Sequence, residues 1–266
     1  MKQISINETP VFIGTSGYKF EDWIGKFYPK GISNYHMLPF YTKKDYLNLL
    51  EMTFTFYNIP YLNTIKSIVD RGEDLTFSVR LNKRFLKGRY NQQDIKDFLH
   101  GLTPIIEKGK LAAFFADFNY AFSASKENFE HLEKLSNDFK DFPLFFELPN
   151  RTWYKNRFLE LFQEKRIGLI VLDMPQIKGL APYYPFSSNN YTYFRLYGRS
   201  KLWLTPEDKI LDYEYSKQEL EQFYNDLKVL SLTSKKVFIS FCNVIDAKAC
   251  KNAKQFYDII VQNEKN

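Results

Sequence analysis

Residues Val11 to Pro29 read VFIGTSGYKFEDWIGKFYP. An apolar strand, Val11–Gly14, runs straight into Thr15, Ser16 and Gly17, and then into Tyr18, Trp23, Phe27 and Tyr28. A strand that opens onto an aromatic loop is a common way to build a ligand site on a rigid frame. The alternative is a tight turn whose aromatics plug the core. No G-x-G-x-x-G follows the strand, so the first turn lacks the dinucleotide fingerprint of an open doubly wound sheet.

Outward from that stretch, strand and helix alternate along the chain. Apolar, β-branched or aromatic runs mark strands at Val11–Gly14, Leu49–Phe56, Leu75–Leu81, Leu111–Asp117, Pro143–Leu148, Gly168–Asp173, Tyr191–Tyr197 and Lys236–Cys242. Helical stretches lie between most of them. Asn91 is placed to cap a helix over Asp94–Lys108, and Thr205-Pro206-Glu207 reads as a short helix start. Ser216 with Glu219 forms a capping box for Lys217–Leu230, and Asp246 can cap Ala247–Val261. About eight strand–helix units point to one TIM-like (β/α)8 barrel over residues 1–266, with the doubly wound sheet as the alternative.

Composition narrows the setting. No apolar run approaches the ~18 residues of a membrane span, and MKQISINETPVFIG lacks the pattern of a secretory signal. Two cysteines, Cys242 and Cys250, are too few for a disulfide scaffold. A cytoplasmic protein with no membrane association is expected. The net charge of +6 is modest, but its distribution is not even. Between Asp74 and Asp94 there is no acidic residue, while Arg80, Lys83, Arg84, Lys87 and Arg89 crowd together with Phe85 and Tyr90. Such a patch attracts phosphates or other anions, or stands as a solvated basic loop.

The period-two alternation inside the strands locates a site. Glu51 opposes Met52, Ser78 and Arg80 share a face opposite Phe77 and Val79, Glu147 lies between Phe146 and Leu148, and Tyr193, Arg195 and Tyr197 oppose Phe194 and Leu196. With the apolar faces packed on the helices, Glu51, Arg80, Glu147 and Arg195 point into the barrel, where charges are costly unless paired. Strand ends on the C-terminal face add Ser16, Tyr18, Thr53, Tyr57, Asp117, Asp173, Arg199 and Asn243. Arginine forks suit a phosphate, carboxylate or sulfate. Glu51 and Glu147 are the candidate general acid and base, unless the Glu–Arg pairs only neutralise one another.

The histidines His36, His100 and His131 lie away from strand ends, with His100 and His131 expected on helix surfaces and His36 the one within reach of the site. This argues against a histidine-built metal centre. A carboxylate Mg²⁺ site from Glu51, Glu147 and Asp173 is an alternative. No nucleophile elbow or Walker loop occurs, and Cys242, without a histidine partner, reads as a small buried residue. The residues name no cofactor.

In order along nearly its whole length, the chain resembles the uncharacterised YecE-like family, domain of unknown function 72. Gly14-Thr15-Ser16-Gly17-Tyr18 through Trp23, Gly25 and Phe27-Tyr28-Pro29 is similar to the family's opening signature. Glu51 with Thr55-Phe56-Tyr57, Phe77-Ser78-Val79-Arg80, Glu147 with Trp153, Arg195-Leu196 with Gly198-Arg199, and Phe241 with Asn243 and Ala253 match later motifs. The resemblance implies a TIM-like barrel and leaves activity undefined. Besides Arg80, where the third-strand motif usually ends in Lys, the chain departs from the pattern in four places. Tyr197 stands where the family usually has His, and Glu147-Leu148-Pro149 replaces Glu-x-Arg. Cys242-Asn243 replaces Asn-Asn, and Asp117-Phe118-Asn119-Tyr120 replaces Gln-x-Pro-Pro. A tyrosine, with an ordinary pKa near ~10, donates hydrogen bonds but is a poor base at neutral pH.

These readings converge on an enzyme for a small anionic or polyhydroxylated ligand, such as a sugar phosphate. Glu51, Glu147 and Tyr197 are its expected catalytic groups. Ser16, Tyr18, Trp23, Tyr57, Arg80, Asp173, Arg195, Arg199 and Asn243 are its expected binding groups. The competing readings are a nucleic-acid-associated protein using the Arg80–Tyr90 loop and a non-catalytic binding protein derived from an enzyme.

Overall fold

Ile4–Ile6 (β1) and Thr9–Ser16 (β2) form an antiparallel hairpin at the start of the described residues, which run 4–201 and 211–264 in the computed structural model. Asn7 and Glu8 at its tip have φ of 48° and 66°, the two positive values that a primed hairpin turn requires. β1 is too short to show a period in the sequence.

From β2 onward the sheet is parallel. It comprises Leu49–Met52 (β3), Thr76–Arg80 (β4), Leu111–Asp117 (β5), Leu144–Glu147 (β6), Gly168–Leu169 (β7), Val171–Asp173 (β8), Tyr191–Leu196 (β9) and Lys236–Phe241 (β10). β7 pairs with β6 and β8 pairs with β9, so the run expected as one strand, Gly168–Asp173, serves both ends of the sheet. It turns at Ile170, whose N–H donates to Phe146 O at 2.9 Å. The result is the expected TIM-like barrel, with all eight expected strands in place around it.

The outer layer holds Asn34–Thr42 (α1), Leu62–Arg71 (α2), Lys83–Leu86 (α3), Gln92–Gly101 (α4), Thr103–Glu107 (α5), Lys126–Asp138 (α6), Asn156–Glu164 (α7), Lys217–Ser231 (α8) and Lys248–Asn263 (α9). Asn91 caps α4, and Ser216 with Glu219 forms both bonds of a capping box on α8. Apolar stripes such as Phe158, Leu159 and Phe162 of α7 are buried against the barrel wall.

Several boundaries differ from the sequence reading. The second strand stops at Met52 rather than Phe56, because Thr53 turns into helical backbone and Phe54–Phe56 forms a single 3-10 turn. The helix expected over Asp94–Lys108 breaks at Leu102, where Pro104 can start a new helix but not continue the old one. Asp246 does not cap the last helix. It and Ala247 take left-handed backbone, and α9 begins at Lys248. His131 is half-buried edge-on against the stacked rings of Phe118 and Phe122, with Nε2 at Leu86 O, whereas His100 and His36 are exposed. The helix start at Thr205-Pro206-Glu207 lies outside the described residues.

The barrel interior is filled, not hollow. Leu49, Phe115, Phe145, Ile170, Leu172, Tyr193 and Phe238 pack together inside it, and a larger apolar layer lies between wall and helices. Gly14 is where β2 and β3 come closest, since an added Cβ would lie 2.0 Å from Leu49 O. That neighbour is backbone and cannot swing away. Gly14→Ala is therefore expected to lose at least about 1–3 kcal/mol, the usual cost of overpacking. Urea unfolding of the variant measures it. No helix among the described residues is long and apolar enough to cross a membrane.

Candidate active site

The polar end of the barrel is assembled by alternation. Glu51 follows Leu50 on β3, Glu147 ends β6, and Tyr193 and Arg195 alternate on β9. All four side chains meet above the apolar fill. Arg195 is the hub: Nε and Nη2 donate to Glu51 Oε1 and Oε2 at 2.9 and 3.0 Å, a bidentate pair. Nη1 donates to Glu147 Oε2 and, at 2.7 Å, to the Tyr197 hydroxyl. Nη2 also reaches Ser16 Oγ at 3.3 Å. The guanidinium carbon lies 4.6 Å from the centre of the Phe115 ring. Tyr193 donates to Glu51 Oε1 at 2.7 Å, and Tyr197 donates to Glu147 Oε1 at 2.8 Å.

Burial decides which carboxylate can meet a ligand. The Glu51 side chain is 0 % exposed and that of Glu147 is 8 % exposed. Glu51 is thus the anchor of Arg195, and Glu147 forms the edge of the cluster that faces out. Burial pushes the Glu147 carboxyl above its ordinary range. Arg195 opposes that shift, and the Asp117 carboxylate adds to it. Burial also pushes the Tyr197 phenol well up, so it remains a protonated donor. Burial works against the charge on Arg195, and the neighbouring Glu147 and Glu51 carboxylates help to hold it. The Cys242 thiol, raised by burial, is inert at neutral pH, as the sequence suggested.

Next to this cluster, Arg80 Nε donates to Asp117 Oδ1 at 2.5 Å, with its guanidinium carbon 3.8 Å from the Phe56 ring centre. Across the two groups, three carboxylates face two guanidiniums, and each arginine already carries a carboxylate partner. The mouth is therefore a hydrogen-bonded acid–base cluster with an acidic excess.

Other expected site residues go elsewhere. Asp173 follows Leu172, which faces the interior, so Asp173 turns outward to Arg199 Nε at 2.9 Å and to the Tyr215 hydroxyl at 2.7 Å. Arg199 continues to Glu219 of α8, and Asn243 Nδ2 donates to Tyr213 O at 2.8 Å. This second cluster ties the wall to α8 and keeps Asp173 apart from Glu51 and Glu147, so the three-carboxylate Mg²⁺ set is not assembled. Among the described residues no group of three or more His, Cys, Asp or Glu is arranged to hold a metal ion. Trp23 does not face a ligand space. It is fully buried among Phe20, Phe27 and Tyr28, and its Nε1 donates to Val244 O at 2.6 Å. With Lys26 paired to Asp246, it fastens the first βα loop to the segment after β10. Tyr18 is half-buried beside Arg71 of α2, and Tyr57 is exposed, with its ring against Phe56 and Lys83.

One residue of the site has no signal in the sequence. Tyr154, just after Trp153, buries its hydroxyl without a partner, and both burial and the Glu147 charge push its pKa up. It lines a concavity of about 470 Å³ with Tyr120, Asn150, Arg151 and Lys178. That volume lies within the range of small-molecule sites.

The DUF72 family model, a protein of unknown function, matches residues 12–266. The chain belongs to the DUF72 family. A DUF72 family protein from Thermotoga maritima MSB8 is 30% identical, with a TM-score of 0.86 over 94% of this chain and 99% of that one. One from Enterococcus faecalis V583 is 27% identical, with a TM-score of 0.82 over 94% and 95%. A xylose isomerase domain containing protein from Salmonella typhimurium LT2 is 13% identical, with a TM-score of 0.53 over 99% and 100%, a likeness of fold alone. No curated protein matches the chain at a significant level. Within the DUF72 frame, Tyr197 and Glu147 hydrogen-bond each other, so two of the four departures from the family pattern border a single contact.

Proposed function

We propose that the barrel mouth is an acid–base centre at which Glu147 exchanges a proton with a small polyhydroxylated ligand in a cytoplasmic setting. The observation that carries this is the Glu147 carboxyl itself. It sits at the edge of a buried cluster, is raised by burial, and is held by Arg195 and Tyr197. A carboxyl raised toward neutrality is suited to both giving and taking a proton. Arg195 and Glu51 position it, and Tyr197 donates to it. The partnered arginines favour hydroxyl groups over a free anion at this spot, since an anion would have to displace a carboxylate.

Proton NMR in D₂O tests the proposal. Aldoses, ketoses and their phosphates are incubated with the wild-type protein and with Glu147→Gln, and solvent deuterium appearing at carbon is followed. Exchange with one class of ligand, lost in the variant, supports the reading. Binding without exchange points to a non-catalytic barrel and contradicts it.

A further inference from the structure

A second concavity opens on the same end of the barrel, where the chain leaves β4. Tyr57, Asn82, Lys83, Arg84, Lys87 and Arg89 line about 310 Å³. Arg84 pairs with Asp94. Lys83, Lys87 and Arg89 form no ion pair among the described residues, although all three are exposed.

The loop that carries these cations is built rather than loose. Asn82 Oδ1 accepts from Arg84 N at 3.1 Å, and its Nδ2 donates to Thr55 O at 2.9 Å. Phe85 is fully buried against Tyr90, Phe98 and Phe139. Gly88 turns the chain at φ +65°, and Arg89 N donates back to Arg84 O at 3.2 Å. Packing thus fixes the backbone under a group of like charges that repel one another. Tyr57 stands on the other side, 65% exposed, with Lys83 Nζ 5.5 Å from its ring centre.

From this geometry we infer that the concavity is a binding site for a ring-bearing phosphate ester. Lys83, Lys87 and Arg89 take the phosphate oxygens, and Tyr57 lies against the sugar or base. Two ammonium groups and a guanidinium fork match the charge and the several acceptor oxygens of a phosphate ester. The exposed tyrosine face supplies a flat apolar surface for the ring. The site goes beyond the acid–base reading of the mouth and does not depend on it, because no residue of the Arg195 cluster takes part.

Isothermal titration calorimetry at low ionic strength tests the inference on the full chain. Glucose 6-phosphate, adenosine diphosphate and inorganic pyrophosphate are compared with glucose and adenosine. Binding is expected for the phosphorylated compounds and not for the unphosphorylated ones. Lys87→Glu with Arg89→Glu is expected to weaken it by at least about tenfold, as for lost hydrogen bonds to a charged group. Tyr57→Ala is expected to weaken the ring-bearing esters more than pyrophosphate, and the relative affinities of the sugar and nucleotide esters identify which ring it accepts. Lys126→Glu with Lys217→Glu, an equal charge change on exposed positions of other helices, is the control. The inference is overturned if no phosphate ester binds or if the control loses as much affinity as the test variant.

Discussion

Arg195→Ala is expected to lower the unfolding free energy by about 3–5 kcal/mol, the usual cost of removing one partner from a buried ion pair. The magnitude follows from what is left behind. Glu51 loses a bidentate partner and Glu147 loses the guanidinium that holds it, and both carboxylates sit in a buried cluster, with side chains 0 % and 8 % exposed. The Phe115 ring also loses the group stacked over it. The deficit should shrink at low pH. With Arg195 gone, the one influence that most opposes the burial of Glu147 is removed, so its carboxyl rises further and takes up a proton more readily. Protonation then relieves the unpaired charge as pH falls through that raised value toward the ordinary glutamate value of 4.5. Urea unfolding of wild type and variant at pH 4 and pH 8 reads both effects. A variant as stable as wild type at pH 8 would mean that the cluster is not held by Arg195.

Glu147→Gln is expected to separate function from stability. General acid–base groups typically contribute 10²–10⁴-fold, so the exchange assigned to Glu147 should fall by about that factor. Folding should not suffer. The folded carboxyl binds its proton more tightly than the unfolded one, so its contribution is most favourable below pH 4.5 and is lost as pH rises through the raised value. A neutral isostere escapes that loss. Its amide oxygen can accept from Arg195, and its NH₂ can donate to the Tyr197 hydroxyl, which rotates to suit. The variant is therefore expected to be at least as stable as wild type at pH 8, with the difference closing below pH 4.5. Thermal unfolding across that range measures it. A large loss of stability at pH 8 together with unaltered exchange would identify Glu147 as a purely structural partner of Arg195.

Sequence alternation was enough to find the residues of the Arg195 cluster because each contributing strand keeps its period at that point. Glu51, Glu147, Tyr193 and Arg195 follow directly from period two on β3, β6 and β9, and they do converge. The same logic misplaced residues where regularity ends. Asp173 lies one position beyond an inward leucine on β8, so its carboxylate falls on the outer face and pairs with Arg199 and Tyr215. Thr53 and Tyr57 follow the end of β3, where the chain curls into a 3-10 turn that no hydrophobic pattern marks. The aromatic loop raised a different difficulty. Tyr18, Trp23, Phe27 and Tyr28 are equally suited to face a ligand or a core, and only the long-range bond from Trp23 to Val244 decides for the core. Tyr154 lies in an irregular segment after β6, and its unpartnered hydroxyl is a fact of packing in three dimensions.

The most direct test is the titration of Glu147 itself, by carbon-13 NMR of glutamate side-chain carboxyls, with Glu147→Gln to assign the signal. A midpoint clearly above 4.5 is the expected result, because burial outweighs the pull of Arg195. A midpoint at or below 4.5 would mean that the ion pair dominates, and Glu147 would then have no proton to exchange near neutral pH.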